Sequence, residues 1–418
     1  MSLILEQCII QKSEAGPGDF DEEAPKMASV YGNATFTLAF TDNIRFGMVE
    51  PQHKAHSREL GDLDTRGWAL QEQVLSERVL YITRTGLFWE CLDGSMSESC
   101  PCGIPKPTDL FRAADDRNLK KYILQKELPL EAREGLMCMW RRNIVEEYSG
   151  RYLTYEEDRL VAAASITTKL ATRLNDECLV GIWKRDAVRS LVWHTAAPFS
   201  RPDNLVFPSW SWYSIKGPVV YSAYTPFSAR AQRTQSGRPR QGLKDDMTTH
   251  DHVEVLEISC QQDQSNRNVY RGRVRMRGLT VRAYFASGED KVLFLPRRRK
   301  AEHKLIRDLR RGILRPACHN GGPQPRHTYI VEAPFIDTVD FPGSNGYREV
   351  LCVLMGINKI DGAFPVALVL EKVRGKNEYQ RVGTVAINTR QICVSVENSV
   401  FQSNWSDNMG EIRTLTIV

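Results

Sequence analysis

The hydrophobic pattern of this chain changes period part-way along, and that change limits the folds open to it. Before about residue 200, most apolar runs recur at helical spacing. From about residue 205 the texture is that of short strands. The runs are VFPSWSWYSI, GPVVYSAY, HVEVLEISC, GRVRMRGLTVRAYF, HTYIVEA, REVLCVLMGINKI, FPVALVLEKV and RVGTVAI. They predict a β-rich domain over 201–418. Inside it, 228–250 is polar and basic and reads as a mobile linker.

The first 95 residues read differently. Residues 3–10 are a short apolar run without helical period, hence a buried strand. A helix is expected over about 20–31, capped by Asp19 or Asp21, then a strand over 34–40. A second helix is expected over 66–76, with strand-like runs over 79–91 around Arg84-Thr85-Gly86. Strand, helix, strand, helix, strand is α/β grammar and predicts a largely parallel sheet. Residues 92–109 are rich in Gly, Pro, Ser and Cys and read as a linker. The rest of 96–200 reads as a helical connector, its last run being CLVGIWKRDAVRSLVWH.

Composition excludes several classes. With 42% hydrophobic and 26% charged residues, the 418-residue chain has enough apolar material for cores. No apolar run reaches the ~18 residues of a membrane span. The N-terminus has no basic segment before its apolar run and carries Glu6, unlike a secretory leader. A formal charge of +5 is too mild for a dedicated nucleic-acid binder, so nucleic acid is not an expected partner. The ten cysteines show no framework spacing, which fits free thiols in a reducing cytoplasm. No Gly-x-Ser-x-Gly elbow, Walker A loop or His-Glu-x-x-His occurs.

Several blocks resemble one family, in one order. CIIQ followed by EEAPKMASVYGNATFTLAF is similar to the fungal heterokaryon-incompatibility (HET) domain. RGWALQEQVLSERVLYITRTGLFWEC resembles that domain's most specific block, through Arg66, Gly67, Trp68, Gln71, Glu72, Leu75, Ser76, Arg78, Leu80, Tyr81, Trp89, Glu90 and Cys91. EEYSGRYLTYEEDRLVAAASI, CLVGIWKRDAVRSLVWH, FPSWSWYSIKGPV and LVLEKVRGKNEYQRVG resemble the region that follows it in large ascomycete HET proteins. The family's opening strand and turn, Y..LSY.WG, has no counterpart, so a truncated domain is expected. The resemblance implies a partial, TIR-like α/β domain over 1–95. It implies a role in non-self recognition and programmed cell death, with other HET or adaptor proteins, or further copies of the chain, as partners. An inactive truncated paralogue or a pure interaction module is the alternative.

The resemblance also implies a candidate chemistry. Some TIR domains cleave NAD through a glutamate four residues after a tryptophan, and Trp68-Ala-Leu-Gln-Glu72 has that spacing. On a helix the indole and carboxylate would share a face. Glu72 would then bind ribose hydroxyls and stabilise an oxocarbenium-like state. No resident cofactor is expected, an NAD-like nucleotide being the alternative. The residues favour a structural reading, with Glu72 as an ion-pair partner of Arg66, Arg78 or another base and Trp68 in the core. Glu90 stands at a strand end, where open α/β sheets place ligands, or is a structural partner of Arg66 or Arg84. Cys91, Cys100 and Cys102, with His53 or His56, could ligate a metal, but Cys-Pro-Cys is one residue short of zinc spacing and free thiols are expected. The basic run 297–315 reads as a solvated helix or an anion-facing one, and Trp210 with Trp212 as core or as a stacking platform.

Overall fold

The computed structural model describes residues 23, 26–41, 62–103, 116–124, 132–195, 197–203, 206–221, 247–248, 253–286, 292–296, 329–332, 335–336, 347–358, 364–386 and 410–418. The expected strand over 3–10, the caps Asp19 and Asp21, His53, His56, the basic run 297–315 and all but two residues of 228–250 lie outside them. The chain is mixed α/β with a β-rich C-terminal region. It divides into two compact units, with the boundary between Cys178 and Leu179.

The first unit holds a four-stranded sheet in the order β1 (Thr37–Thr41), β2 (Arg78–Thr83), β3 (Gly86–Cys91), β4 (Ser95–Ser97). Helix α1 (Met27–Asn33) precedes β1, and α2 (Gly67–Leu75) lies between β1 and β2. Among the described strands only β1 and β2 are parallel, Ala39 facing Tyr81; the other pairs are antiparallel. Over those four strands this corrects the expectation of a largely parallel sheet. Residues 84–85 make a tight turn, held by Thr83 Oγ1 donating to Gly86 O at 2.8 Å, and strands joined so closely run antiparallel. Residues 95–97, expected within a linker, are instead the fourth strand, turned back where Cys91 N donates to Gly94 O at 2.9 Å.

The two faces of this sheet differ. On one, Ala39, Val79 and Tyr81 form a buried core with Leu63 and Phe88 against it. On the other, the register builds two apolar rows, Leu38–Leu80–Trp89–Met96 and Phe40–Ile82–Leu87. Phe40, Leu87 and Met96 are exposed, and Phe36 just before β1 is exposed too.

Helix α2 is tied at both ends. At its end, Ser76 Oγ and Thr37 Oγ1 are 2.7 Å apart, linking the helix to β1. At its start, Gly67 N donates to Tyr152 O at 2.8 Å, and Tyr152 N to Thr65 O at 2.6 Å. A Cβ on Gly67 would stand 2.5 Å from Leu153 Cδ2, which explains the glycine of Arg-Gly-Trp. The helical elements that follow are α3 (Asp116–Leu124), α4 (Ala132–Met139) running through a π turn (Trp140–Val145) into α5 (Glu146–Ser149), and α6 (Val161–Leu174). Helix α6 packs on α2 and buries Ile166, Leu170 and Leu174, at i, i+4 and i+8. Tyr148 OH donates to Arg159 O at 2.5 Å, and burial pushes its phenol far above the ordinary range.

The unit boundary falls within a short hairpin, β5 (Cys178–Leu179) with β6 (Ile182–Trp183), which is followed by one helical turn, α7 (Ala187–Ser190). CLVGIWKRDAVRSLVWH is therefore not the helix its apolar spacing suggested. Val180 and Gly181, at φ +39° and +88°, reverse the chain instead. Gly181 accepts from Trp212 Nε1 at 3.2 Å, and Val180 O from Ser211 Oγ at 2.7 Å. Trp193 Nε1 donates to Trp210 O at 3.0 Å, and Trp183, Trp193, Trp210 and Trp212 are all fully buried. SWSWYS, read as a strand, is a 3-10 turn (Trp212–Ser214), because Ser211 Oγ captures Tyr213 N at 3.1 Å.

Beyond this tryptophan-rich segment come β7 (Met247–Thr248), β8 (Val253–Gln262), β9 (Tyr270–Ala286), β10 (Val292–Pro296), β11 (Tyr329–Glu332), β12 (Phe335–Ile336), β13 (Tyr347–Asn358), β14 (Phe364–Lys372), β15 (Tyr379–Ala386) and β16 (Glu411–Ile417). The pairings β9–β16–β15–β14–β13–β9 close a five-stranded ring. Four of its junctions run over seven residue pairs each; among the described residues β15 meets β16 only at Tyr379 and Ile417. Leu279, Val281, Ala283, Phe285, Cys352 and Val369 belong to the buried core of this β region.

Two polar side chains are buried where the ring meets the tryptophans. The Arg381 guanidinium lies 3.3 Å above the Trp193 ring and donates to Trp193 O. Burial, with the Arg381 charge adding to it, holds the His194 imidazole down at about 4, while its hydrogen bond to the Val220 backbone opposes the shift.

Two predictions follow from this packing. Gly181→Ala should lower stability by about 2 kcal/mol or more in urea melts, since a Cβ there would sit 2.2 Å from Trp212 Nε1 on a left-handed backbone. The second concerns His194. Unfolded histidine titrates near 6.5, so the unfolded chain binds the proton first. Stability is then full above about pH 6.5 and falls toward about pH 4, by about 3 kcal/mol. Between about pH 7 and about pH 5, His194→Gln should lose about 2 kcal/mol less than the wild type. An identical pH slope in both proteins would count against this role.

Candidate functional site

Helix α2 carries the first candidates. Trp68 and Glu72 stand four residues apart and share a helical face with Gln71. Trp68 is half-buried, whereas Glu72 and Gln71 are 8% and 1% exposed. The Glu72 carbonyl accepts from Ser76 N at 3.3 Å and from Ser76 Oγ at 2.7 Å, which closes the helix. Among the described residues, neither atom of the Gln71 amide has a hydrogen-bond partner. A buried amide in that state is costly, and it is the polar group at this site with donors and an acceptor to spare.

Glu90 sits in a different setting. Its Oε1 is 2.7 Å from Lys120 Nζ, and Tyr81 OH donates to its Oε2 at 3.4 Å. Lys120 is 4% exposed at its side chain and Glu90 is 21%. The sequence offered Arg66 or Arg84 as the partner. Arg84 is exposed at the β2–β3 turn, the far end of the hairpin from Glu90, which faces Val79. Arg66 is exposed at the start of α2. The antiparallel run of β3 also puts its end beside the starts of β1 and β2, not beside their carboxyl ends. The crevice of a parallel sheet is therefore not where Glu90 lies.

The remaining candidates do not converge. Cys91 and Cys100 are half-buried and Cys102 exposed, all as free thiols, and Cys100 Sγ donates to Gly103 O at 3.1 Å. Among the described residues no group of three His, Cys, Asp or Glu side chains could hold a metal ion. Trp210 and Trp212 are core residues. Among the described residues, no helix is long and apolar enough to cross a membrane.

Three features escaped the sequence reading. Lys120 falls on the apolar face of α3 with Ile123, at i and i+3, and a lysine at such a position could have marked a buried ion pair. His194 and Arg381 lie far apart in sequence and gave no local cue to their proximity. Gln71 lay inside the family-like block, but its lack of partners is visible only in three dimensions. Comparison of the chain with family models, curated proteins and solved structures finds no match.

The ion pair gives a stability test. Glu90→Gln leaves the buried Lys120 ammonium without its counter-charge and should cost about 3 kcal/mol in urea melts. Glu90→Leu combined with Lys120→Met should recover most of that loss. Equal losses in the single and double variants would show that packing, not charge, governs the site.

Proposed function

We propose that this protein is a HET-type effector of a filamentous fungus, cytoplasmic, acting in non-self recognition by assembling with other HET or adaptor domains or with its own copies, and so driving programmed cell death. Residues 1–95, within the first unit, are read as TIR-like HET-domain sequence, and 96–200 as its linker and helical connector. The ordered family-like blocks support the family. The observation that favours assembly is the open face of the four-stranded sheet. There Leu38, Leu80, Trp89 and Met96 form one apolar row and Phe40, Ile82 and Leu87 a second, with Phe36 exposed beside them. An exposed apolar surface spread over four strands is characteristic of a protein–protein contact.

The second reading, NAD cleavage through Glu72, draws support from the helical pairing with Trp68 and from the Gln71 amide beside it, which has no hydrogen-bond partner among the described residues. The burial of Glu72 disfavours it, because a carboxylate that stabilises a developing sugar cation must reach the substrate.

Expression in a fungal host separates the two readings. Phe40→Glu with Leu87→Glu should abolish both association on a sizing column and cell death, while Glu72→Ala leaves both intact. Nicotinamide release from NAD should be absent from wild-type protein. Release that disappears in Glu72→Ala would establish the enzymatic reading in place of assembly.

A further inference from the structure

Strand β9 has two personalities along its 17 residues. In its second half the odd-numbered residues Leu279, Val281, Ala283 and Phe285 are buried in the core. In its first half the odd positions are arginines, Arg271, Arg273, Arg275 and Arg277, all exposed, while Val274 and Met276 face inward. The same side of the strand thus leads from the core out to one end of the ring. There a cavity of about 670 Å³ opens, within the size range of small-molecule sites, which recur at the mouths of barrels.

Its floor is set by register. Arg275 faces Glu257 of β8 on one side and Thr416 of β16 on the other, and Ser259 faces Arg273. Its wall is the β14–β15 turn, whose Lys376, Asn377 and Glu378 project over the floor. Gly375, at φ +75°, makes that turn possible, and Val373 N donates to Glu378 O at 2.9 Å across it. The Glu378 carboxylate is shared, 3.2 Å from Arg273 and 3.9 Å from Lys376. Arg275 and Glu257 stand opposite each other, yet among the described residues neither is in an ion pair.

The chemistry of this lining selects a ligand. Three cations against two carboxylates leave one positive charge in excess. The Arg275 fork is free to take a phosphate or carboxylate through two parallel N–H donors. Glu257, Ser259, Asn377 and Thr416 offer acceptors and donors at the spacing of neighbouring strands, suited to hydroxyl groups. Every lining side chain is polar and no aromatic or aliphatic side chain lines the cavity, so it lacks the apolar wall that a base or an acyl chain would bury against. The interspersed carboxylates would repel a polyphosphate backbone. Arg271, further along the strand, is already held by Asp263 at 2.8 Å.

We propose that this end of the ring is a binding site for a small polyhydroxylated anion, in class a sugar phosphate, with Arg275 as the principal anchor and Lys376 and Arg273 as its neighbours. The proposal is independent of the assembly reading, since it concerns the second unit only.

The test is calorimetric titration of the full-length chain with ribose 5-phosphate, ribose and inorganic phosphate at low salt. Ribose 5-phosphate should bind, and ribose should bind at least about tenfold more weakly. Arg275→Ala and, separately, Lys376→Ala should weaken ribose 5-phosphate by about tenfold, while Arg271→Ala, outside the cavity, leaves it unchanged. Both positions are exposed, so an unchanged melting temperature in either variant shows that the fold is intact. Absence of binding by wild-type protein at about 10 mM ligand overturns the proposal, as does equal affinity in Arg275→Ala. Inorganic phosphate binding as tightly as ribose 5-phosphate would overturn the sugar component. Tighter binding of an RNA oligonucleotide or an acidic peptide, lost in Arg275→Ala, would overturn the ligand class.

Discussion

The second unit depends on a single strand being buried on different sides at its two ends. In the first half of β9 the even side is covered: Trp210 lies so close to Gly272 that a Cβ there would sit 2.6 Å from its ring, and Phe207 stacks on Tyr270 at 4.9 Å. In the second half the odd side is covered by the core of the ring. Each half is flanked by different strands, β8 and β16 first, then β13 and β10. One strand therefore serves the tryptophan-rich segment and the ring at once, and a one-residue slip in its register would put arginines into the core.

That division also explains what could be read from the sequence. β8 and β9 were legible because one face is buried at a time, which writes alternation into the residues, and β13 and β14 because burial on both faces leaves continuous apolar runs over 350–356 and 366–370. Closure of the ring was not, because it rests on pairing Tyr347 with Ala286 and Val353 with Thr280 across a long stretch of chain. SWSWYS misled for a physical reason. Alternating small and aromatic residues suit a strand, but Ser211 is equally able to bond the backbone two residues on, and here it does. In the first unit α2 and the β2–β3 hairpin were plain, whereas β4 is three residues long and too short to carry a pattern. Of the candidate site, the helical pairing of Trp68 with Glu72 was legible from spacing. The engagement of Glu90 by Lys120 was not, since it joins elements 30 residues apart.

The first unit sets its polar and apolar groups apart in an unusual way. The face that packs beneath the helices contains an ion pair, Glu90 with Lys120, and a buried glutamine amide lies in α2. The opposite face is apolar and partly open. Charged groups withdrawn from water stabilise only in a fixed geometry, so they favour one arrangement of the fold. Open apolar rows gain free energy only when something covers them.

The junction between β15 and β16 is a seam. One residue pair, with Val418 N donating to Tyr379 O at 2.8 Å beside it, does the work that seven pairs do at the other four junctions. Amide protons along β16 that point toward β15 should therefore exchange through small openings, ahead of those that point toward β9. The polar cavity straddles this line, its floor on β9 and β16 and its wall on the turn before β15. Whatever occupied it would act as a clasp, drawing together the two edges at which the ring is least secured.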